Sequence, residues 1–160
     1  MQLQPVRSWR FAPTDRDARQ SAAGQQMQDE PALEKAAGVL IVEDDFLIAM
    51  QTETALTDVG ITVVGLAATA EEAVLLARQH EPLLAVMDIR LAGRRDGIDA
   101  AGELFRELGI RCIFATAHDD LRTRARAEPF APLGWLAKPY TMASLIALVR
   151  RAIAGGADAV

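Results

Sequence analysis

Cysteine is almost absent from this chain: Cys112 is the only one in 160 residues. No intrachain disulfide can form, thiolate zinc fingers are excluded, and a reducing cytoplasmic compartment fits. Cys112 itself reads as a small apolar residue inside a strand. Long apolar runs are missing too. No stretch reaches the roughly 18 residues of a membrane span, and the N-terminus lacks the apolar centre of a signal peptide, so a soluble, cytoplasmic protein is expected. Nor is there a basic excess. The formal net charge of -5 argues against a nucleic-acid-binding module, which needs a net basic face to neutralise phosphates. What remains, 51% hydrophobic and 24% charged residues, suits one globular domain with a sizeable core.

The strongest local signal lies at residues 83 to 97, Leu-Leu-Ala-Val-Met-Asp-Ile-Arg-Leu-Ala-Gly-Arg-Arg-Asp-Gly. A short apolar run after Pro82 reads as a central parallel strand covered on both faces. Asp88 ends it. In open α/β sheets the carboxyl edge is where ligands bind, so this carboxylate is expected to be displayed to solvent. Gly93, Asp96 and Gly97 suggest a loop, followed by a helix with Ile98, Ala101, Phe105 and Leu108 at helical spacing.

Residues 1–37 have no sustained apolar period and read as a mobile arm. Within them Arg7, Trp9, Arg10 and Phe11 interleave cations and aromatics, a pattern that can dock on a partner but that also suits a solvated tail. Gly38 to Val42 is a second buried-strand candidate, and it runs straight into Glu43, Asp44 and Asp45. Asp45 can cap a helix carrying Ile48, Thr52, Ala55, Leu56 and Val59 on one face, with Gly60 as terminator. Ile61 to Ala67 is the next strand. Thr69 and Glu72 form a Thr-x-x-Glu capping box before a helix ending near His80, which reads as a surface residue. Arg111 to Thr116 is a further strand, ending in a hydroxyl. An Arg-rich segment with a poor helical face follows, then Pro129 and Pro132, then a strand from Leu133 to Ala137 closed by Lys138 and Pro139. The last helix, from about Thr141, stacks Met142, Leu145, Ile146, Val149 and Ile153. Strands alternating with helices through short loops predict an α/β fold with a doubly wound parallel sheet.

Polar residues sit at the carboxyl ends of four strand candidates: Glu43 with Asp44, Asp88, Thr116 and Lys138. If the first and third strands are neighbours, the acids converge, and each pair at ~5 Å repels by roughly 3 kcal/mol at an effective dielectric of about 20. A hard divalent cation offsets this, and Mg²⁺ tolerates few protein carboxylates plus waters and a phosphate oxygen. Acid, metal, hydroxyl and ammonium together make a phosphoryl-transfer site. Asp88 is the candidate nucleophile, Lys138 stabilises charge on the phosphoryl oxygens, and Thr116 hydrogen-bonds the product.

Val-Leu-Ile-Val-Glu-Asp-Asp, Val-Met-Asp-Ile-Arg-Leu, Phe-Ala-Thr-Ala and Trp-Leu-Ala-Lys-Pro-Tyr together resemble the receiver domain of two-component response regulators. The resemblance covers residues 38–154, leaving 155–160 as a C-terminal tail. It implies a five-stranded, flavodoxin-like three-layer sandwich with strand order 2-1-3-4-5, and a phosphoacceptor Asp88 served by a sensor histidine kinase or phosphotransfer protein. It implies Mg²⁺ bound by Asp44, Asp88 and the Arg90 backbone carbonyl, with Glu43 acting mostly through water. Thr116 would move inward on phosphorylation and Trp135, standing where Tyr or Phe is usual, would change rotamer. Arg90 and His118, each two residues past a site residue, would set phosphoryl lifetime. The Phe-Ala-Thr segment followed by Pro-Leu-Gly-Trp-Leu-Ala-Lys-Pro-Tyr looks like a single-domain subgroup associated with general stress signalling. Output is then expected through contact with a downstream protein target rather than an appended domain. A homodimer on the face made by the last strand and the last two helices is compatible with the sequence.

Two other classes fit less of the chain. A phosphatase with an aspartyl-phosphate intermediate, like haloacid-dehalogenase-like proteins, carries a second acid two residues after the nucleophile, where this chain has Arg90; without it multiple turnover lacks its acid and base. A nucleic-acid-binding regulator would use the Arg-bearing arm or residues 122 to 126, with steep salt dependence.

Overall fold

The computed structural model describes residues 37–157. The arm expected over residues 1–37, with its Arg7, Trp9, Arg10 and Phe11 cluster, falls outside them except for its last residue. In chain order the elements are β1 (Val39–Val42), α1 (Phe46–Asp58), β2 (Val63–Ala67), α2 (Ala70–His80), β3 (Leu84–Met87), α3 (Gly97–Leu108), β4 (Arg111–Thr116), α4 (Leu121–Ala127), β5 (Gly134–Ala137) and α5 (Met142–Ala157). A single 3₁₀ turn, Glu128–Phe130, follows α4.

The five strands make one parallel sheet in the order β2-β1-β3-β4-β5. This is the doubly wound, flavodoxin-like arrangement. Because side chains alternate across a strand, the sheet feeds two cores. Leu40, Val42, Ala85, Met87, Cys112 and Phe114 pack with residues of α2 and α3 on one face. Val39, Ile41, Leu84, Val86, Ile113 and Ala115 pack with α1 and α5 on the other. Both faces of β1 and β3 are buried throughout, which is why their sequences are unbroken apolar runs.

Several expected boundaries and faces are displaced. β1 begins at Val39, not Gly38, because the ladder opens with Val39 paired to Val63 and Leu84. β2 begins at Val63, its predecessor Thr62 already serving as acceptor for the Val39 N–H at 2.8 Å. Leu83 stays outside β3 and is half exposed. On α1 the buried stripe is Ala49, Thr52 and Leu56, while Ile48 and Ala55 lie at its margin and Val59 caps the C-terminus. Apolar side chains also lie off that face: Phe46, Leu47 and Met50 are exposed. On α3 the fully buried leucine is Leu104, with Phe105 and Leu108 half buried. On α5 Leu148 joins Leu145 and Val149 in the core, and the helix continues to Ala157.

Helix starts follow local chemistry. Asp45 Oδ1 accepts the Leu47 and Ile48 N–H groups at α1, and Thr69 accepts the Glu72 N–H at α2. Glu72 answers by accepting the N–H of Ala68, one residue earlier than an ideal capping box. A complete box appears where none was expected: Asp96 and Asp99 satisfy each other's backbone N–H at the start of α3. Gly97 is consequently the first residue of a helix and not a loop residue. A Cβ there would lie 1.9 Å from the Asp88 carbonyl oxygen, so only glycine lets α3 start directly beneath the end of β3.

Candidate functional site

Register places the acids. Val42 is aligned with Met87 across the β1–β3 pair, so the residues that follow, Glu43 and Asp88, leave the sheet side by side. Asp44 joins them, and one carboxylate oxygen from each of the three lies within 4.8 Å of the others. On the far side, Thr116 is aligned with Ala137 across β4 and β5, so Lys138 emerges beside them. Its backbone N–H donates to the Thr116 carbonyl at 2.9 Å, and the Lys138–Pro139 peptide is cis.

Lys138 Nζ bridges two acids. It donates to Asp88 Oδ2 at 2.8 Å and to Glu43 Oε2 at 2.7 Å. The second oxygens are held by backbone: the Asp45 N–H donates to Glu43 Oε1 at 3.1 Å and the Arg90 N–H to Asp88 Oδ1 at 3.3 Å. Asp88 is only 8% exposed, which corrects the expectation of a carboxylate displayed to solvent. At the carboxyl edge Glu43 and Asp88 are buried, and it is Asp44 that is exposed.

Burial pushes the Glu43 carboxyl above its ordinary value, against the opposing pull of hydrogen bonds from Lys138 and the Asp45 N–H. Burial would by itself lower the Lys138 ammonium, but hydrogen bonds to Asp88 and Glu43 hold it above the usual lysine value. Tyr140, two residues on, is pushed up by burial. Three oxygen donors with one exposed to solvent suit a hard divalent cation, and one fixed ammonium suits the charge of a phosphoryl group.

The remaining sequence candidates are placed around this cluster without joining it. Thr116 is fully buried and its hydroxyl oxygen accepts the His118 N–H at 3.1 Å. The Arg90 side chain is exposed. Trp135 is half buried, stacked on Phe114 with ring centroids 4.7 Å apart and 27° between planes, and Arg124 sits over the ring at 5.0 Å. Sequence reasoning missed that Arg124 is held by Asp119; only the charge spacing around the Arg-rich segment signalled it. Cys112 is buried within β4 and its thiol is pushed up to about 12 by burial. His80 closes α2 at the surface. None of the described helices is long and apolar enough to cross a membrane.

A doubly wound parallel sheet whose carboxyl edge gathers three acids, two of them bridged by one lysine, belongs to the class of open α/β domains that place their ligand site at that edge. A family model for the response regulator receiver domain matches residues 39–150, and the chain belongs to that family. It is similar to the transcriptional regulatory protein PdtaR of Mycobacterium tuberculosis, 36% identical over 115 residues that cover 72% of this chain and 56% of the relative. Among solved structures it resembles the signal receiver domain of a modulated diguanylate cyclase from Desulfovibrio desulfuricans, with 37% identity and a TM-score of 0.69 over 75% of this chain and 95% of that one. It also resembles the anti-anti-sigma factor PhyR from Bartonella quintana, with 32% identity and a TM-score of 0.63 over 78% of this chain and 50% of that one. The chain spans about half the length of the curated relatives it matches.

Proposed function

We propose that Asp88 accepts a phosphoryl group from a phosphohistidine of a sensor histidine kinase or phosphotransfer protein. The observation that carries this reading is the Lys138 ammonium bridging Asp88 and Glu43 within a three-carboxylate cluster. An Asp88 oxygen attacks phosphorus, an O–P bond forms as the P–N bond breaks, and the imidazole leaves with its electron pair and is protonated. Lys138 stands where it can neutralise charge on the phosphoryl oxygens. Glu43, Asp44, Asp88 and the Arg90 backbone carbonyl would hold Mg²⁺, Glu43 mostly through water. When bound, that ion supplies charge neutralisation at the transferring oxygens.

The Thr116 hydroxyl then hydrogen-bonds the phosphoryl group, and Trp135 changes rotamer in response. Arg90 and His118 set the lifetime of the acyl phosphate. Arg90 at the position where phosphatases of this chemistry keep a second acid argues for a switch with self-catalysed turnover of its own phosphoryl group, rather than an enzyme acting on other substrates. The receiver unit is taken as residues 38–154, working in the cytoplasm and signalling by contact with a downstream protein. Likeness to the anti-anti-sigma factor PhyR supports an output of this kind, through a protein partner.

Intact mass after incubation with acetyl phosphate tests the reading. A Mg²⁺-dependent gain of one phosphoryl group is expected in the wild type and none in Asp88→Ala. An equal gain in the variant would place the phosphoacceptor elsewhere. No gain in wild type from either acetyl phosphate or a phosphorylated histidine kinase would overturn the reading altogether.

A further inference from the structure

The loop between β4 and α4 is tied down at its start, middle and end. At its start the Thr116 hydroxyl accepts the His118 N–H. At its end Asp120 caps α4, accepting from the Thr123 N–H at 2.9 Å and the Thr123 hydroxyl at 2.8 Å. Between them Asp119 grips Arg124 with both carboxylate oxygens, Nη2 donating to Oδ2 at 2.7 Å and Nε to Oδ1. That bidentate geometry fixes the guanidinium plane. The fixed plane lies over Trp135, whose other neighbour is Phe114 of the core. α4 has little apolar surface to bury, Ala127 being its only buried residue.

We propose that Arg124 is a positioning residue that holds Trp135 against Phe114, and that Asp119 makes this hold depend on the position of the Thr116 loop. The second half rests on the reading that Asp88 is phosphorylated and Thr116 responds. When Thr116 moves, residues 117–119 move with it, the Asp119–Arg124 pair is displaced, and the cation leaves the indole. Cation–aromatic contact at a partly exposed ring is of a size that shifts the rotamer ratio of Trp135 by about two- to fivefold. The site at one sheet edge thus communicates with the surface of β5 and α4 through two named side chains.

The test uses the full chain with Trp9→Phe, leaving Trp135 as the only tryptophan. In the unphosphorylated protein, Arg124→Gln and Asp119→Asn should each raise acrylamide quenching of Trp135, by up to the fold-change above. The double variant should do no more than Arg124→Gln alone, since Asp119 acts through the arginine. Arg124→Lys, which keeps the charge but loses the planar fork, should behave like Arg124→Gln. Unchanged quenching in Arg124→Gln, or an undiminished Asp119→Asn effect once Arg124 is gone, overturns the proposal. With acetyl phosphate and Mg²⁺, the Arg124→Gln protein should still gain its phosphoryl group by mass but show a smaller fluorescence change than the Trp9→Phe parent. A change equal to the parent's, or none in a phosphorylated parent, overturns the coupling. Should the parent gain no phosphoryl group from acetyl phosphate, the comparison is made after transfer from a phosphorylated histidine kinase; no gain from either donor overturns the Asp88 reading and the coupling with it, while the quenching arm still decides the role of Arg124. Circular dichroism of each variant guards against misfolding.

Discussion

Lys138 satisfies two carboxylates with one ammonium, and both acids are largely out of water. Replacing it by methionine keeps the length of the stem but leaves Glu43 and Asp88 facing each other without their donor. A buried acceptor deprived of its partner costs about 1–3 kcal/mol, so Lys138→Met should lower the free energy of urea unfolding by that order. Millimolar Mg²⁺ should recover more of the loss in the variant than it adds to the wild type, because the cation substitutes for the missing charge. Equal Mg²⁺ effects on the two proteins would mean that the carboxylates are not its site.

The same cluster makes stability depend on pH. Burial raises the Glu43 carboxyl above its ordinary 4.5, with hydrogen bonds from Lys138 and the Asp45 N–H opposing it. A raised folded value means that the folded protein holds this proton more tightly than the unfolded chain does. The contribution is fully present below 4.5 and is lost as pH rises through the folded value. Wild type should therefore lose stability relative to Glu43→Gln as pH rises above 4.5 and through the raised folded value, measured as unfolding free energies along that rise; a flat difference would contradict the assignment. Lys138 has the same sign at the alkaline end. Burial opposes its charge but the bonds to Asp88 and Glu43 prevail, so its contribution holds below 10.5 and is lost as pH rises through its higher folded value.

At the scale of elements, the join between β3 and α3 controls how Asp88 is presented. The Gly97 N–H donates to the Ile89 carbonyl at 2.7 Å, folding the chain back within a few residues of the strand. The atoms that a Cβ at 97 would strike are all backbone: the carbonyl oxygen and carbon of Asp88 and the Cα of Ile89. Backbone cannot rotate away as a side chain can. Gly97→Ala should destabilise by about 1–3 kcal/mol or more, the cost of overpacking, and should also impair phosphoryl gain because the strain falls on Asp88 itself. Denaturant unfolding and intact mass of the same variant check both halves. The ion pairs across the helices behave differently. Arg126 reaches Asp96 at 2.8 Å, and Arg78 pairs with Glu103 at 3.1 Å. Exposed pairs of this kind contribute little each, and their interest lies in where they hold α4 and α2 against α3.

At the scale of the molecule, one sheet serves two cores. β3 gives Ala85 and Met87 to the first and Leu84 and Val86 to the second, so neither core can be lost while the other keeps its strands. Met87→Ala and Leu84→Ala, each removing a side chain no more than 1% exposed, should each cost about 2–5 kcal/mol. Both should shift one cooperative transition rather than split it. Tryptophan fluorescence and far-UV circular dichroism recorded on the same urea series would expose any second transition as non-coincident curves.

Element types were legible because they depend on neighbours along the chain. The apolar runs ending at Val42 and Met87, the caps at Asp45 and Thr69, and the prolines around β5 each act over a few residues, and each marked an element within one or two positions of where it lies. The polar residues at strand ends were legible for the same reason: an apolar run that stops at an acid leaves that acid at the sheet's carboxyl edge. The inward face of α1 was legible in large part, since Thr52 and Leu56 are buried with Ile48, Ala55 and Val59 half buried beside them; the burial of Ala49 was not, because a single small side chain between exposed Phe46, Leu47 and Met50 carries no apolar signal of its own. Nor was the burial of Asp88, which depends on α3 beginning against it at Gly97. Lys138 meets Glu43 across 95 residues and Asp88 across 50, and Arg124 comes to rest over an indole on another strand. By itself the sequence determined the alternation of strands and helices and the supply of acid, hydroxyl and ammonium at their ends, because sterics and periodicity act locally. Tertiary structure alone decided the register that brings Lys138 within hydrogen-bonding distance of Glu43 and Asp88 and the packing that buries those two acids, because both arise from strands and helices packing across the whole domain.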